Sequence, residues 1–470
     1  MTIRCLARFA VSCAGLALAV PAATAQERLP AGVTANVPTR VAELRDAALN
    51  DTVAYDIVEG LTTEIGPRLA GTDAEARARD WAVTKLKSLG FRNVHIETYQ
   101  MPVWMRGEEK AEVIAPFSQP LRITALGNSG ATPDKGITAP IVYFETFGDL
   151  TRAPAASLKG KIAFVSNQMV PTQDASGYGT FGMARFVGPQ IAAEKGAAAI
   201  LIRSIGTDES RAPHAGNTNF RDGTTPIPAA ALSVEDAANL ERMVKRGKPV
   251  TLHLLLTPKQ IGLQESGNVI AEVPGSDPDA GIVLIGGHLD SWDLGTGAID
   301  DASGLGITTA AAHRIMQAGT PRRTIRVVWF GSEEVGAFGG EAYAKAHKDE
   351  RHVLAAESDL GADAIWRFET NLPASAAPIG DRLQAALAPL GIARGPGKAH
   401  DGADIGPVLR QGTAAIDLNQ SALRYFDWHH TAEDVLERID PEQLRQNVAA
   451  WTAMLAIVAD APEAIGTVDS

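Results

Sequence analysis

Cysteine is nearly missing from this chain: Cys5 and Cys13 are the only two in 470 residues, and both lie ahead of Gln26. The segment that holds them has the pattern of a secretory signal. Arg4 and Arg8 form a basic start, Phe9 to Val20 an apolar core, and Ala23-Thr24-Ala25 a small-residue cleavage site. An exported chain cut after Ala25 keeps no thiol, which excludes disulfides and thiolate metal ligands from the rest of the molecule. Lipid attachment at Cys13 is disfavoured because too little apolar sequence precedes it. No later stretch is long and apolar enough to span a bilayer, so no stable membrane insertion is expected. Basic tracts are absent too. The formal net charge is −12, and loss of Arg4 and Arg8 takes it to −14. That sign argues against nucleic acid and anionic membranes as partners. The remaining length, about 445 residues, suits two or three domains resting on a large core.

What is present is concentrated in one stretch, GGHLDSWDLGTGAIDDASG, from Gly286 to Gly304. A short branched apolar run, Gly281 to Ile285, precedes it and reads as a buried strand. An alanine-rich helical pattern, Leu305 to Ala318, follows and stops at Gly319. Acids and a histidine therefore sit on a loop at the end of a strand, where open α/β sheets place ligands. His288 and Asp290 face the same way in an extended segment, so a carboxylate can take the second ring N–H of a metal-bound imidazole. Asp300 and Asp301 follow in a glycine-rich turn, where a carboxylate can bridge two cations. Alone, each pattern is ordinary: H-x-D is commonly a solvated turn, and paired aspartates commonly cap helices.

The rest of the chain supplies the weight. An amphipathic helix from Arg40 to Gly60 is broken near Asn50-Asp51. In EIGPRLAGT, Thr72 and Glu75 have capping-box spacing and open a helix that ends at Gly90. Arg68 in that string reads as a surface ion pair. Asn93 to Gln100 alternates as a strand. From about Ser118 to Pro258, short strand-like runs are joined by Gly/Pro/Thr-rich connections. This block carries His214 and His253, read as structural, and reads as an inserted β-rich domain. After Gln264 an α/β rhythm begins. Strand Thr324 to Phe330 ends in Gly331-Ser332-Glu333-Glu334, and adjacent glutamates in extended chain face opposite ways, one toward metal and one toward water. Strand His352 to Ser358 ends in Asp359. Strand Thr413 to Leu418 leads to FDWHHTAED, which contains His429 and His430.

The ordered set IGPRLAGT, GGHLDSWDLGTGAIDDASG, FGSEEVGAFGG, ESDLGA and FDWHHTAED resembles the co-catalytic dizinc exopeptidases. That family includes bacterial zinc aminopeptidases and glutamate carboxypeptidases, and the likeness points to its plasma glutamate carboxypeptidase-like branch. It runs from near Glu64 to Asp434. The resemblance implies an α/β fold with a mixed, mostly parallel central sheet flanked by helices, and an inserted protease-associated domain. It implies catalytic parts at residues 26–117 and 259–470, with the insertion at 118–258. By the same resemblance, two Zn2+ ions are held by His288, Asp300, Glu334, Asp359 and His430, with Asp300 bridging across an unusual cis Asp300–Asp301 peptide. Asp290 orients His288, Glu333 is the general base, and His429 matches no ligand position. ALRYF, from Ala422 to Phe426, departs from the family pattern at the substrate rim.

Such a centre suits zinc, because it offers nitrogen and oxygen without sulfur. Two cations about 3.5–4 Å apart acidify a shared water and clamp a tetrahedral intermediate, while Glu333 moves the proton. The expected substrates are short peptides or dipeptides, with a homodimer left open. The choice among aminopeptidase, dipeptidase and carboxypeptidase depends on whether the pocket takes an α-amine or an α-carboxylate, and on further pocket residues. Two other readings stand behind this one: a one-zinc acyl transferase of the glutaminyl cyclase kind, and a non-catalytic binding protein. Tyr425 is either an oxyanion donor or a buried aromatic. The inserted block is expected to overhang the metals as a size filter, and to be removable with zinc binding largely intact.

Overall fold

The computed structural model describes residues 37–399 and 402–468, so the signal-like segment before Gln26 lies outside the described residues. Two eight-stranded mixed sheets, with helices, make up a mixed α/β fold. The first sheet has the order Arg92–Met105, Lys259–Val273, Thr324–Phe330, Ile282–His288, His352–Glu357, Ala414–Gln420, Ile365–Asn371, Ala393–Arg394. Thr324–Phe330, Ile282–His288, His352–Glu357 and Ala414–Gln420 run parallel, which brings their carboxyl ends to one edge. These strands read as continuous apolar runs because both faces are covered: Val283, Leu284 and Ile285 are all fully buried.

Local signals explain the helices around this sheet. Thr72 caps Asp73–Ser88 by accepting the Glu75 N–H. Glu75 does not complete the box; it is buried and pairs with Arg79 at 2.9 Å. Ser303–Ala318, nearly all small or apolar, packs between the sheet and helices Val53–Gly60 and Pro441–Val458. The last of these had no clear signal in the reading above. Asp440 caps it, Pro441 opens it, and Leu444 to Val458 fill one face of the main core.

The second sheet is drawn wholly from Glu109 to Leu256, so its strands begin ahead of Ser118. Its two connections to the first sheet run side by side, with Met105 paired to Lys259 and Glu109 to Leu256. Residues 35–470 form one compact unit. Trp292, from the acidic loop, is buried in the same apolar cluster as Phe164, Leu201 and Leu254 of the second sheet. No described helix is long and apolar enough to cross a membrane.

Candidate metal centre

The four parallel strands each release part of one buried polar cluster, and Asp300 stands in its middle. Its Oδ1 lies 3.0 Å from His288 Nε2 and its Oδ2 lies 3.3 Å from His430 Nε2. Asp359 Oδ1 is 3.5 Å from His288 Nε2 on one side. Glu334 Oε2 is 2.9 Å from His430 Nε2 on the other. The structure thus brings His288, Asp300, Glu334, Asp359 and His430 together as two His–carboxylate pairs about one shared carboxylate.

Each histidine is aimed by an acceptor behind it. His288, the last residue of its strand, has Nδ1 2.9 Å from the Asp290 main-chain oxygen. A carbonyl can only accept, so Nδ1 carries the proton and Nε2 keeps its lone pair for the centre. The Asp290 carboxylate is further off, 3.7 Å from Nδ1. Its Oδ1 accepts the Glu333 N–H at 3.1 Å instead, which fixes the adjacent glutamate. His430 Nδ1 lies 3.3 Å from the Ala215 oxygen, an atom of the second sheet's segment. The Asp300–Asp301 peptide is cis. Asp301 is held by the main chain, its oxygens accepting the N–H groups of His288 at 3.1 Å and Gly304 at 3.0 Å, and it keeps a ligating atom within 4.8 Å of those of His288 and Asp359. Gly304 must be glycine here, since a Cβ would sit 1.9 Å from the Ser358 oxygen.

Several residues at the site were not legible as such. Arg68 is no surface ion pair. It is fully buried, and its guanidinium donates to the main-chain oxygens of Leu289 at 2.5 Å, Thr296 at 2.6 Å and Gly297 at 2.9 Å. This one side chain thus ties together main-chain oxygens from Leu289 to Gly297 of the acidic loop. Asp434 caps the turn that presents Asp300, accepting the N–H groups of Ala298 at 2.8 Å and Ile299 at 2.7 Å. Tyr99 donates to the Gly331 oxygen at 2.7 Å and so holds the turn before Glu333. His429, set aside above, stacks on His430 with ring centroids 3.5 Å apart, and its Nε2 is 3.6 Å from Asp300 Oδ2.

A cavity of about 800 Å³ opens onto the cluster, with Asp300, Glu333 and His430 on one wall and Tyr178, Arg185 and Asn217 on the other. Tyr425 lines it and is buried against His429 and Phe426. The second wall comes from the supposed inserted block, which therefore faces the polar cluster. It does more than overhang the cluster: Ala215 donates its N–H to the His430 oxygen at 2.9 Å.

The electrostatics favour a cation. Burial, reinforced by the charges of Asp359, Glu334 and Asp290, pushes Glu333 well above the usual carboxylate range. Burial and the Asp300 charge push Glu334 up to about 7. Asp300 goes the other way: burial opposes it, but the hydrogen bond with His288 and the nearby His430 ring hold it well below that range. Asp300 Oδ2, Glu334 Oε1 and Asp290 Oδ2 are buried with no hydrogen-bond partner. Buried anions without donors call for positive charge. The ligating atoms of His288, Asp300 and Glu334 lie within 4.8 Å of one another, as do those of Asp300, His429 and His430. Nitrogen and oxygen donors without sulfur fit zinc.

Comparison with known proteins agrees with this chemistry. The model of Peptidase family M28 matches residues 268–455. Carboxypeptidase Q of Bos taurus is 34% identical over 413 residues, covering 87% of this chain and 86% of that protein. A peptidase M28 precursor from Shewanella amazonensis SB2B superposes with a TM-score of 0.89 at 45% identity, covering 92% of this chain and 98% of that one. BSAP, a zinc aminopeptidase from Bacillus subtilis, shares the fold with a TM-score of 0.62 at 20% identity, covering 89% and 98% of the two chains.

Proposed function

We propose, from the premise that the chain belongs to peptidase family M28 and is a zinc metallopeptidase, that it is a dizinc exopeptidase acting on short peptides as an aminopeptidase or dipeptidase. The observation that carries this reading is Asp300, placed between the His288–Asp359 and His430–Glu334 pairs with a carboxylate oxygen toward each histidine. His288 and Asp359 would hold one zinc, His430 and Glu334 the other, and Asp300 both. When bound, zinc supplies Lewis acidity that polarises the scissile carbonyl and acidifies water.

The chain's own residues do the rest. Glu333 has its main chain pinned by Asp290 and its carboxyl raised by burial, which suits a group that must both take and return a proton. It takes the proton of the attacking water as oxygen adds to the carbonyl carbon. It then gives that proton to the leaving nitrogen as the C–N bond breaks. The cavity of about 800 Å³ admits a short peptide, and its second wall limits length. Residues 26–117 and 259–470 form the catalytic part in this reading, and 118–258 an inserted, protease-associated type of domain. Export rests on the segment from Arg4 to Ala25.

Glu333→Gln tests the reading. It should keep two zinc ions per chain and lower kcat about 10²–10⁴-fold on free dipeptides. Turnover near wild type would remove Glu333 from the role of base, and wild-type protein with one zinc would remove the dizinc reading. A panel of dipeptides, N-blocked peptides and aminoacyl anilides then assigns the end that is recognised.

A further inference from the structure

We infer that residues 204–217, a loop of the second sheet's segment, are the positioning element for the His430 half of the metal centre, which holds its metal only while this loop is docked. The inference rests on the dizinc reading above.

His430 needs outside support. Its φ is +61°, a left-handed conformation that non-glycine residues adopt at a cost and keep only where neighbours over-determine it. The segment around it, from Tyr425 on, turns three main-chain oxygens outward. Each finds a donor in the one loop: Phe426 takes the Thr207 N–H at 3.0 Å, His429 takes His214 Nδ1 at 2.7 Å, and His430 takes the Ala215 N–H at 2.9 Å. The Ala215 oxygen in turn faces His430 Nδ1 at 3.3 Å and accepts from the Arg185 guanidinium at 3.3 Å, so this loop also backs the ligand ring. Thr207 Oγ1 adds a bond of 2.7 Å to Asp427.

The loop is itself rigid, because His214 is its keystone. The ring is 1% exposed. Its Nε2 meets Asp208 Oδ1 at 2.8 Å, and its main-chain N–H donates to Ser204 Oγ at 2.8 Å. Ser204 Oγ donates on to the Leu232 oxygen of the neighbouring strand at 2.6 Å, so the chain of bonds runs from the second sheet to the ligand. The ring lies flat on Gly206, where a Cβ would come within 2.2 Å of Nε2. A histidine read from sequence as merely structural thus joins one sheet to a ligand of the other. The His288 half has no such dependence, for its backing oxygen belongs to Asp290 in its own loop.

The test measures zinc content, and the rate at which a metallochromic chelator strips it, for wild type, His214→Ala, His214→Gln and Gly206→Ala. Wild type should yield two zinc ions. In His214→Ala one of the two should be released at least tenfold faster, with the other unchanged. His214→Gln, whose amide N–H can reach the His429 oxygen, should fall between. Gly206→Ala, which displaces the ring, should act in the same direction as His214→Ala. If His214→Ala does not fold, the other two variants carry the test. Release of both ions at wild-type rates in the folded variants overturns the inference, and so does equal acceleration of both. Wild type with a single zinc defeats the dizinc reading; the loop is then judged on that ion, and an unchanged rate overturns it.

Discussion

The two halves of the metal centre contain the same chemistry, a histidine and a carboxylate sharing Asp300, yet they are built differently. The His288–Asp359 half is assembled from adjacent parallel strands, and its histidine is backed by an oxygen two residues away. The His430–Glu334 half joins a strand end to a loop in left-handed conformation, and its histidine is backed by Ala215, distant by 215 residues in sequence. The first half is local to one sheet and braced by Arg68. The second depends on a different sheet. Two similar His–carboxylate pairs can therefore be positioned differently, one by the sheet that carries it and the other by a neighbouring element.

The change expected to do most damage erases the distinction. Asp300→Ala removes the carboxylate common to both halves, so metal analysis should find both ions lost or weakened, with kcat/KM down by about 10³-fold or more. His430→Ala should separate the halves, leaving one zinc and little activity, whereas His429→Ala should keep both. The reverse pattern would exchange the roles of the two stacked histidines. Arg68→Met sharpens the contrast from the other side. It strands carbonyls that a buried cation satisfies, worth about 1.5–3 kcal/mol per charged hydrogen bond, and calorimetry should record a lower Tm. Zinc should then leave the His288 half first. Thr207→Val is the mildest, removing one side-chain hydrogen bond worth about 1 kcal/mol. It should shift the chelation rate of the His430 half slightly and leave the other half alone.

Glu75 offers an independent pH readout. Burial raises its carboxyl to about 7, against the pull of Arg79. A folded-state value above the unfolded one means the folded protein binds more protons between the two. Glu75 therefore stabilises most below the unfolded value, and its contribution is lost as pH rises toward about 7. Glu75→Gln should flatten the dependence of Tm on pH across that window, and an unchanged profile would reject the shift.

Much of this protein could be read directly from the chain. Strand Thr324–Phe330 matched its apolar run end for end, and the Thr72 cap and the Ala318 helix end lay where local chemistry places them. Those features depend on apolar runs of strand length and on end-capping, both of which act over a few residues. The strand-end acids and histidines were visible for the same reason, because a parallel strand releases its next residues at a known edge. Arg68, Tyr99 and His214 were not, because each acts on main-chain oxygens far away in sequence, and a carbonyl leaves no mark in the residue that carries it.

Order and spacing along the chain therefore placed the acids and histidines at the ends of their strands. Which of two adjacent acids turns inward, and which loop backs each histidine, depended on folding. Asp301 is held by the N–H groups of His288 and Gly304, and Ala215 reaches His430 from the segment of the second sheet, whose apolar cluster includes Trp292. Hydrogen bonds to backbone are indifferent to sequence, so only the packed structure selects their partners.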